Sequence, residues 1–394
     1  MPLKSILKYI LSAIFLSIIS LIIINLPLFD ESPFEDAPFE PQLDPALKSS
    51  NNAFYFRLGL FAAPKEDPLL AGKKWTLHFN KTPITWDSNV KPELGIYLNQ
   101  QKEALRSLDS YVDCDVLNKA DCLNQLSKKQ PNEQVKRWID RYHQLLNFDA
   151  YGFALRPTSV GLPTSALESL HRAALASTLA HSVENASKMA DQINRDLRFW
   201  RMVLLRSHNL DDKHFAGRML QQTYRFVHQV LAADTSSYEL KGLLDPTMFQ
   251  PIAKKLFVNK PTDQVLSTYE NSIRYELAAY SATLNRGDME NVKNQVYAET
   301  SYPFRLCGAV SPLLIQPQAT QNLLVRISLL ETDNINQIME EITDSQFKLI
   351  YNPCGKAWVA LLARDYEDEK KHLVKLDHQI EALARQHFKS KRGI

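Results

Sequence analysis

Glycine is scarce in this chain, which has only 11 glycines among 394 residues. Globular proteins average about 7% glycine, and folds that bind phosphates on glycine loops or turn between many short strands need that share. The patterns G-x-G-x-x-G, G-x-x-x-x-G-K-[ST], G-x-S-x-G and H-E-x-x-H are absent too. The sequence therefore indicates no catalytic residue, no cofactor-binding residue, no cofactor and no metal ligand, and it favours a protein that is not an enzyme.

An excess of one charge is also missing. The 46 basic and 44 acidic side chains leave a formal net charge of +2. Nucleic-acid binding normally needs a concentrated basic field, so nucleic acid is not an expected partner. The 45% hydrophobic content is that of a globular protein, and the length suits about two or three domain-sized units.

A long uncharged apolar segment does occur near the N-terminus, from Tyr9 to Phe29. As a helix it would span about 31 Å, one bilayer crossing. Lys4 and Lys8 precede it, and every charged residue between it and Lys48 is acidic. The positive-inside rule therefore keeps residues 1–8 in the cytoplasm. The sequence predicts a single-pass protein of the bacterial inner membrane, with the anchor at 9–29 and the main domain in the periplasm.

The alternative is a cleaved signal peptide, whose apolar core normally has about 7 to 15 residues before a small-x-small site. This segment is longer, lacks that site, and has no lipoprotein cysteine before Cys114. Ala13 and Ser17 form a small-xxx-small pair, which leaves a homo-oligomer open.

Residues 30–48 form an acidic, proline-rich stalk. The segment contains four prolines and no basic residue before Lys48, so it cannot build a core and is expected to extend. Its acids are Asp30, Glu31, Glu35, Asp36, Glu40 and Asp44.

Helical periodicity dominates beyond the stalk and predicts an all-α fold, either a bundle or an irregular solenoid, with at most a minor β-hairpin. We expect an N-terminal helical subdomain at 49–160 and a C-terminal helical domain at 161–394. The hairpin would pair Trp75–Phe79 with Ile84–Trp86. The final apolar repeat favours docking of a C-terminal helix on its own domain. Apolar faces are clearest at Met189, Ile193, Leu197, Trp200, Val203 and Leu204, at Leu266, Tyr269, Ile273, Leu277, Tyr280 and Leu284, and at Leu373, Leu376, Ile380 and Leu383.

The four cysteines are the only site residues that the sequence singles out. Their even number predicts two disulfides in an oxidising compartment, with local pairing as one connectivity. A zinc site and four buried thiols are the alternatives. The residues are Cys114, Cys122, Cys307 and Cys354.

Three further patterns are better explained as structure than as sites. Asp113-Cys114-Asp115 is formally a D-x-D metal motif, but its surroundings are helical. The polar stretch between two long helices, where Asp211 or Asp212 is expected to cap the second helix, is typical of a linker. Its metal-ligand types are His208, Asp211, Asp212 and His214. The aromatic residues of Arg198–Arg201 and of Tyr224–Phe226 are expected in the core.

Four stretches together resemble a group of uncharacterised proteobacterial membrane-anchored helical proteins. The resemblance extends over most of the chain past residue 50, implies location and fold, and brings no activity. The stretches are Asn52–Gly59, Asp196–Arg201, Gln316–Asn322 and Asn352–Lys356.

Two functions remain open from the sequence. The first is a non-enzymatic binding or scaffolding domain that meets another envelope protein. The alternative is an envelope hydrolase or transferase whose site is assembled from residues distant in sequence.

Overall fold

A computed structural model describes most of the N-terminal two thirds of the chain and its C-terminal helix. Every secondary-structure element within these residues is helical and none is a strand, which confirms the all-α prediction. The described residues are 3–24, 51–81, 92–112, 129–154, 163–180, 186–207, 209–233, 237–252 and 371–388, with 122, 125, 319, 320, 322 and 323.

Ten α-helices and one short 3-10 helix, Pro246–Phe249, account for most of these residues. In chain order they are α1 (Leu3–Ile24), α2 (Ala53–Leu58), α3 (Pro68–Lys81), α4 (Pro92–Tyr111), α5 (Glu133–Leu145), α6 (Ser165–Ala180), α7 (Ala186–Arg206), α8 (Leu210–Ala233), α9 (Ser237–Leu243) and α10 (371–387).

The chain divides into two compact units. Residues 1–41 and 273–370 form the first unit, and residues 42–272 and 371–394 form the second. Helix α1 therefore belongs to the first unit and α2 to α10 belong to the second. The boundary predicted at residue 160 lies within the second unit, between α5 and α6.

Helix α1 contains 22 residues and carries exposed apolar side chains, among them Tyr9, Leu11 and Phe15. The hydroxyl of Ser17 donates a hydrogen bond to the carbonyl oxygen of Ala13 at 2.8 Å, so it is satisfied within the helix. In α1 the structure describes the side chains at 9–20 and 23. Among the residues that it describes, no helix is both long and apolar enough to cross a membrane.

Residues Trp75–Phe79, for which the sequence predicts a strand, belong to helix α3. The side chain of Asp67 accepts a hydrogen bond from the Leu69 N–H, and Pro68 opens the helix, so the start is well capped. Trp75 and Phe79 stack one helical turn apart with ring centroids 6.1 Å apart. The interpretation of this alternating pattern as a strand is therefore wrong. The proposed pairing segment, Ile84–Trp86, lies outside the described residues.

Helices α2 and α3 approach each other closely at two glycines. A Cβ atom on Gly72 would lie 1.6 Å from the carbonyl oxygen of Tyr55, and one on Gly59 would lie 1.9 Å from that of Pro68. Any larger residue would collide with the backbone at either position. The two helices can pack this tightly only because both positions lack a side chain.

Helices α7 and α8 form the centre of the second unit. The face predicted for α7 is buried as expected, and Trp200, Phe199, Phe226 and Tyr224 lie in the core. The predicted core role of the aromatic-basic stretches is thus confirmed. The face predicted at 266–284 lies outside the described residues.

Helix α10 packs along α8, in keeping with the predicted docking of a C-terminal helix. Its repeat of Leu373, Leu376, Ile380 and Leu383 is buried. Gln221 of α8 donates a hydrogen bond to Gln379 at 3.2 Å. Phe388, just beyond the helix, lies 4.5 Å from Phe249, measured between ring centroids.

Candidate functional site

Two aspartates are buried on the facing sides of α7 and α8. Asp196 is 2% exposed and Asp212 is 3% exposed. Carboxylates are rarely buried unless they are paired, so this part of the core is where a functional site would be sought first. Each carboxylate belongs to its own hydrogen-bonded group.

Asp212 is held by a buried arginine and by two hydroxyl groups. Arg57, from the apolar helix α2, forms an ion pair with it, and the Tyr151 hydroxyl donates to Oδ2. The Ser207 hydroxyl also donates to Oδ2, at 3.1 Å. Arg57 in addition donates to the Tyr151 oxygen at 2.6 Å and lies over the Phe215 ring. The opposite charges of Arg57 and Asp212 therefore compensate each other inside the core.

The electrostatics of this group keep Arg57 charged. Burial alone would lower the pKa of Arg57, but the Asp212 carboxylate and Tyr151 outweigh it, and the pKa stays above its ordinary value. Burial raises the pKa of Tyr151 well above its ordinary value, and Asp212 adds to the rise. Tyr151 therefore stays a neutral hydrogen-bond donor at physiological pH.

Asp196 accepts hydrogen bonds from neutral donors. The Tyr142 hydroxyl donates to Oδ1 at 2.5 Å, and the Thr223 hydroxyl donates to Oδ2 at 2.5 Å. Trp200 Nε1–H donates to the Tyr142 oxygen at 2.8 Å. His171 Nε2 lies 3.0 Å from Thr223 Oγ1 and 3.7 Å from Asp196 Oδ2.

The geometry assigns one tautomer to His171. Thr223 has a single hydroxyl hydrogen, and the carboxylate of Asp196 is its strongest nearby acceptor. His171 must then donate from Nε2–H to Thr223 Oγ1, which leaves Nδ1 unprotonated and 2.9 Å from the sulfur of Met219. Burial lowers the pKa of His171, although the charges of Asp196 and Glu168 act to raise it. The lowered pKa favours the neutral form of the ring.

The arrangement of His171, Thr223 and Asp196 does not match nucleophilic catalysis. In a catalytic triad the histidine accepts the proton of the nucleophile, and the aspartate binds the other ring nitrogen. Here the hydroxyl donates to the aspartate and accepts from the histidine. His171 and Thr223 are both 0% exposed, so no substrate reaches them in this conformation. The group is a structural network that fixes α6, α7, α8 and α5 together.

Several other buried cations satisfy backbone carbonyl groups. Arg141 donates to the carbonyl oxygens of Leu60, Ala62, Ala63 and Glu66, and so fixes the segment after α2. Arg201 donates to those of Met248 and Gln250. Lys213 donates to that of Leu204 at 2.6 Å. These side chains stabilise irregular segments and helix ends.

No protein-family model, no curated protein and no solved structure matches the chain. The resemblance to membrane-anchored helical proteins stays a prediction. Residues from its first two stretches nevertheless supply buried contacts. The Asn52 amide caps α2 through the Phe54 N–H and donates to the Gly152 carbonyl oxygen, while Arg57 and Asp196 belong to the two groups above.

The histidine and aspartate stretch between α7 and α8 is dispersed in the structure. Asp212 pairs with Arg57, the His214 ring contacts His372, and Asp211 is exposed. His208 lies outside the described residues. The predicted aspartate cap is wrong, because the side chain of Asn209 accepts the Asp212 N–H at 2.9 Å. Among the residues described, no three or more metal-binding side chains converge.

The structure describes one of the four candidate cysteines. Cys122 is buried and disulfide-bonded, so at this position the prediction of a bridge fits better than a free thiol. Cys114, Cys307 and Cys354 lie outside the described residues, as does the D-x-D pattern at 113–115. The connectivity stays a prediction.

Sequence reasoning did not identify Arg57 or Asp196, although a signal was present for both. Arg57 is the only charged residue of α2. Asp196 lies among the apolar positions of α7, three residues after Ile193 and four before Trp200. A charge on an apolar helix face predicts a buried partner, but a single sequence cannot name it.

Among the described residues of the second unit, the exposed face of α3 carries the two most exposed large apolar side chains. Leu70 is 64% exposed and Leu77 is 57% exposed, two helical turns apart. Lys73 and Lys74 lie on the same side, because residues at i+3, i+4 and i+7 share a helix face. This surface, which we call the α3 face, combines leucines and lysines and contains no acidic residue.

Proposed function

We propose that the chain is a single-pass protein of the bacterial inner membrane whose periplasmic helical unit binds another envelope protein and catalyses no reaction. The observation that carries this proposal is a contrast. The acids and the histidine in the core are buried and bonded to protein partners, whereas Leu70, Leu77 and Lys74 are exposed on the α3 face. Lys73, at the edge of this face, is half-buried with its ammonium group 5.8 Å from the centre of the Tyr55 ring. A surface of that kind suits recognition.

The anchor part of the proposal is supported by the uncharged segment 9–29 and by the flanking charges. Helix α1 extends over most of this segment, and the side chains described on it are exposed on all sides. A helix with apolar side chains all around is typical of burial in lipid or protein. The acidic stalk would then lie on the periplasmic side, as the positive-inside rule favours.

The binding part of the proposal specifies the partner's chemistry. Leu70 and Leu77 would enter an apolar groove, and the two lysines would meet acidic side chains at its rim. The helix beneath is rigid, because Trp75 and Phe79 pack on its opposite side against Tyr97, each with ring centroids 5.3 Å from the Tyr97 ring. Binding would thus require little ordering of α3.

A site-specific photo-crosslinker tests this function in living cells. Placed at Leu70 or Leu77, it should give a discrete adduct with one envelope protein, and Lys73→Glu/Lys74→Glu should reduce that adduct because the acidic rim then repels it. The matched control is the same crosslinker at Arg225, which is exposed on α8. Adducts of equal intensity from Arg225, or no adduct from either leucine, would contradict the proposal.

A further inference from the structure

Helices α8 and α10 run in the same direction and bring histidines together at two levels. His214 meets His372 near the start of both helices, Gln221 meets Gln379 in the middle, and His228 meets His387 near the end. The partners advance together along both helices, so the register is defined over the whole contact. Two cross-helix histidine pairs on one short interface call for a chemical explanation.

The second pair has the geometry of two metal ligands. His228 Nδ1 lies 3.3 Å from His387 Nε2. In a tetrahedral zinc site with Zn–N bonds of about 2.0–2.1 Å, two ligand nitrogens are about 3.3–3.4 Å apart. Both rings are accessible, since His228 is exposed and His387 is half-buried. An ion from solution could therefore bind between the two nitrogens after a small rotation of the rings.

One cation of the neighbouring helix faces this pair. The ammonium group of Lys241 of α9 acts electrostatically on the His387 ring. A positive charge at this position repels a dication, so it limits the affinity of the site and offers a way to change it.

We propose that His228 and His387 are two ligands of a solvent-accessible zinc site that fastens α10 to α8, with water in the remaining positions. Neutral imidazole is a preferred zinc ligand. Because the two ligands come from helices far apart in sequence, the bound ion would cross-link the C-terminal helix to the rest of the second unit. Zinc would thereby stabilise the docked form of α10.

The other histidines provide matched comparisons. His214 and His372 meet edge to face, with ring planes at 88° and centroids 5.5 Å apart. His378 is exposed on α10 nine residues before His387, which at about 100° per residue places it on the opposite side of the helix. Replacing His378 removes a histidine from the same helix without touching the proposed ligands.

Zinc titration of the purified full-length chain tests the site. After treatment with EDTA, the chain in detergent micelles is titrated with ZnCl2 by calorimetry, and its thermal unfolding is followed with and without the ion. We expect His228→Ala and His387→Ala each to bind one zinc ion fewer than the parent. Any zinc binding that remains should be weakened by more than roughly 10- to 100-fold, which is the loss expected when a residue that only hydrogen-bonds to a ligand is removed. His378→Ala should bind like the parent.

Lys241→Gln separates a lost ligand from a misfolded variant, because it should strengthen zinc binding while both histidines remain. Circular dichroism of the metal-free variants checks that each retains its helices. Loss in both histidine variants together with tighter binding in Lys241→Gln supports the site. Unchanged binding in either histidine variant, or no gain in Lys241→Gln, would show that the two rings share only a hydrogen bond.

Discussion

At the scale of single residues, the second unit is defined by how it compensates buried charge. Arg57 and Asp212 lie 155 positions apart in sequence and neutralise each other in the core. Their link to Tyr151 and Ser207 satisfies further hydrogen-bonding positions on the carboxylate. A buried ion pair contributes little net stability compared with an apolar pair, but it makes any wrong arrangement of α2 against α8 costly.

Asp212→Asn should destabilise the protein by about 3–5 kcal/mol, because Arg57 would keep its charge in the core without a counterion. The free energy of unfolding is measured by denaturant titration of the full-length chain, followed by tryptophan fluorescence. The double variant Arg57→Met/Asp212→Asn should recover part of the loss, since no charge then remains buried.

The control for this prediction is Asp191→Asn on α7. Asp191 pairs with Arg195 one helical turn away, where the two side chains are 55% and 42% exposed. An exposed pair of this kind contributes less than about 1 kcal/mol. Equal losses from Asp191→Asn and Asp212→Asn would mean that burial of the Arg57 pair has no energetic consequence.

At the scale of elements, the contact between α2 and α3 depends on two glycines that have no side chain. Gly59 and Gly72 each face a backbone carbonyl group of the opposite segment, as shown by the positions that a Cβ atom would occupy. Asn52 and Asp67 cap the starts of the two helices. Local capping and close backbone approach thus determine this pair more than hydrophobic periodicity does.

Gly72→Ala should destabilise the second unit by at least about 1–3 kcal/mol, the usual result of overpacking, because the colliding atom belongs to the backbone and cannot rotate away. Thermal unfolding by circular dichroism provides the measurement. Gly95→Ala on α4 is the matched control, since a Cβ there meets nothing within 4 Å. That change should be neutral or stabilise by up to about 1 kcal/mol. A Gly72→Ala variant as stable as Gly95→Ala would contradict the packing described.

Periodicity predicts the long helices well and the short ones poorly. The apolar face of α7 recurs over roughly four turns, so Ile193, Leu197 and Trp200 can be assigned to the core from sequence alone. In α3 apolar periodicity predicts the wrong structure. Trp75, Leu77 and Phe79 alternate as the buried positions of a strand would, but the segment is helical and Leu77 is exposed. What distinguishes the helix there is the Asp67-Pro68 start, a signal carried by two residues.

The candidate sites are harder to predict, for a physical reason. Asp212 belongs to a linker-like stretch in the sequence, yet its partner is Arg57, and nothing local connects the two. The position of the helix cap is equally ambiguous in the sequence, because asparagine and aspartate side chains accept the same hydrogen bond from a helix N–H, and Asn209 lies close to two aspartates. The pairing of His228 with His387 likewise depends on the register between α8 and α10, which a single sequence does not reveal.

At the scale of the whole molecule, the proposal requires α1 to be held in lipid while the second unit stays in water. The acidic stalk between them carries only negative charge before Lys48, so it would remain outside the bilayer and be repelled by anionic headgroups. The proposal therefore assigns segment 30–48 and the α3 face to the same side of the membrane.

Charges placed in α1 provide the decisive measurement. A lysine near the middle of a membrane span costs about 2.5–3.5 kcal/mol on the insertion scale. We therefore expect Ile14→Lys/Ile18→Lys to move the chain from the membrane fraction to a fraction extracted by alkaline carbonate, whereas Ile14→Leu/Ile18→Leu stays in the membrane. A phosphatase fused after residue 394 should be active only when the second unit is exported, so activity should be high in the parent and in the leucine variant. An active cytosolic reporter at this position instead would place the second unit with the N-terminal lysines and remove the envelope partner from the proposal, while leaving the zinc site, which depends only on α8 and α10, to be judged by its own titration.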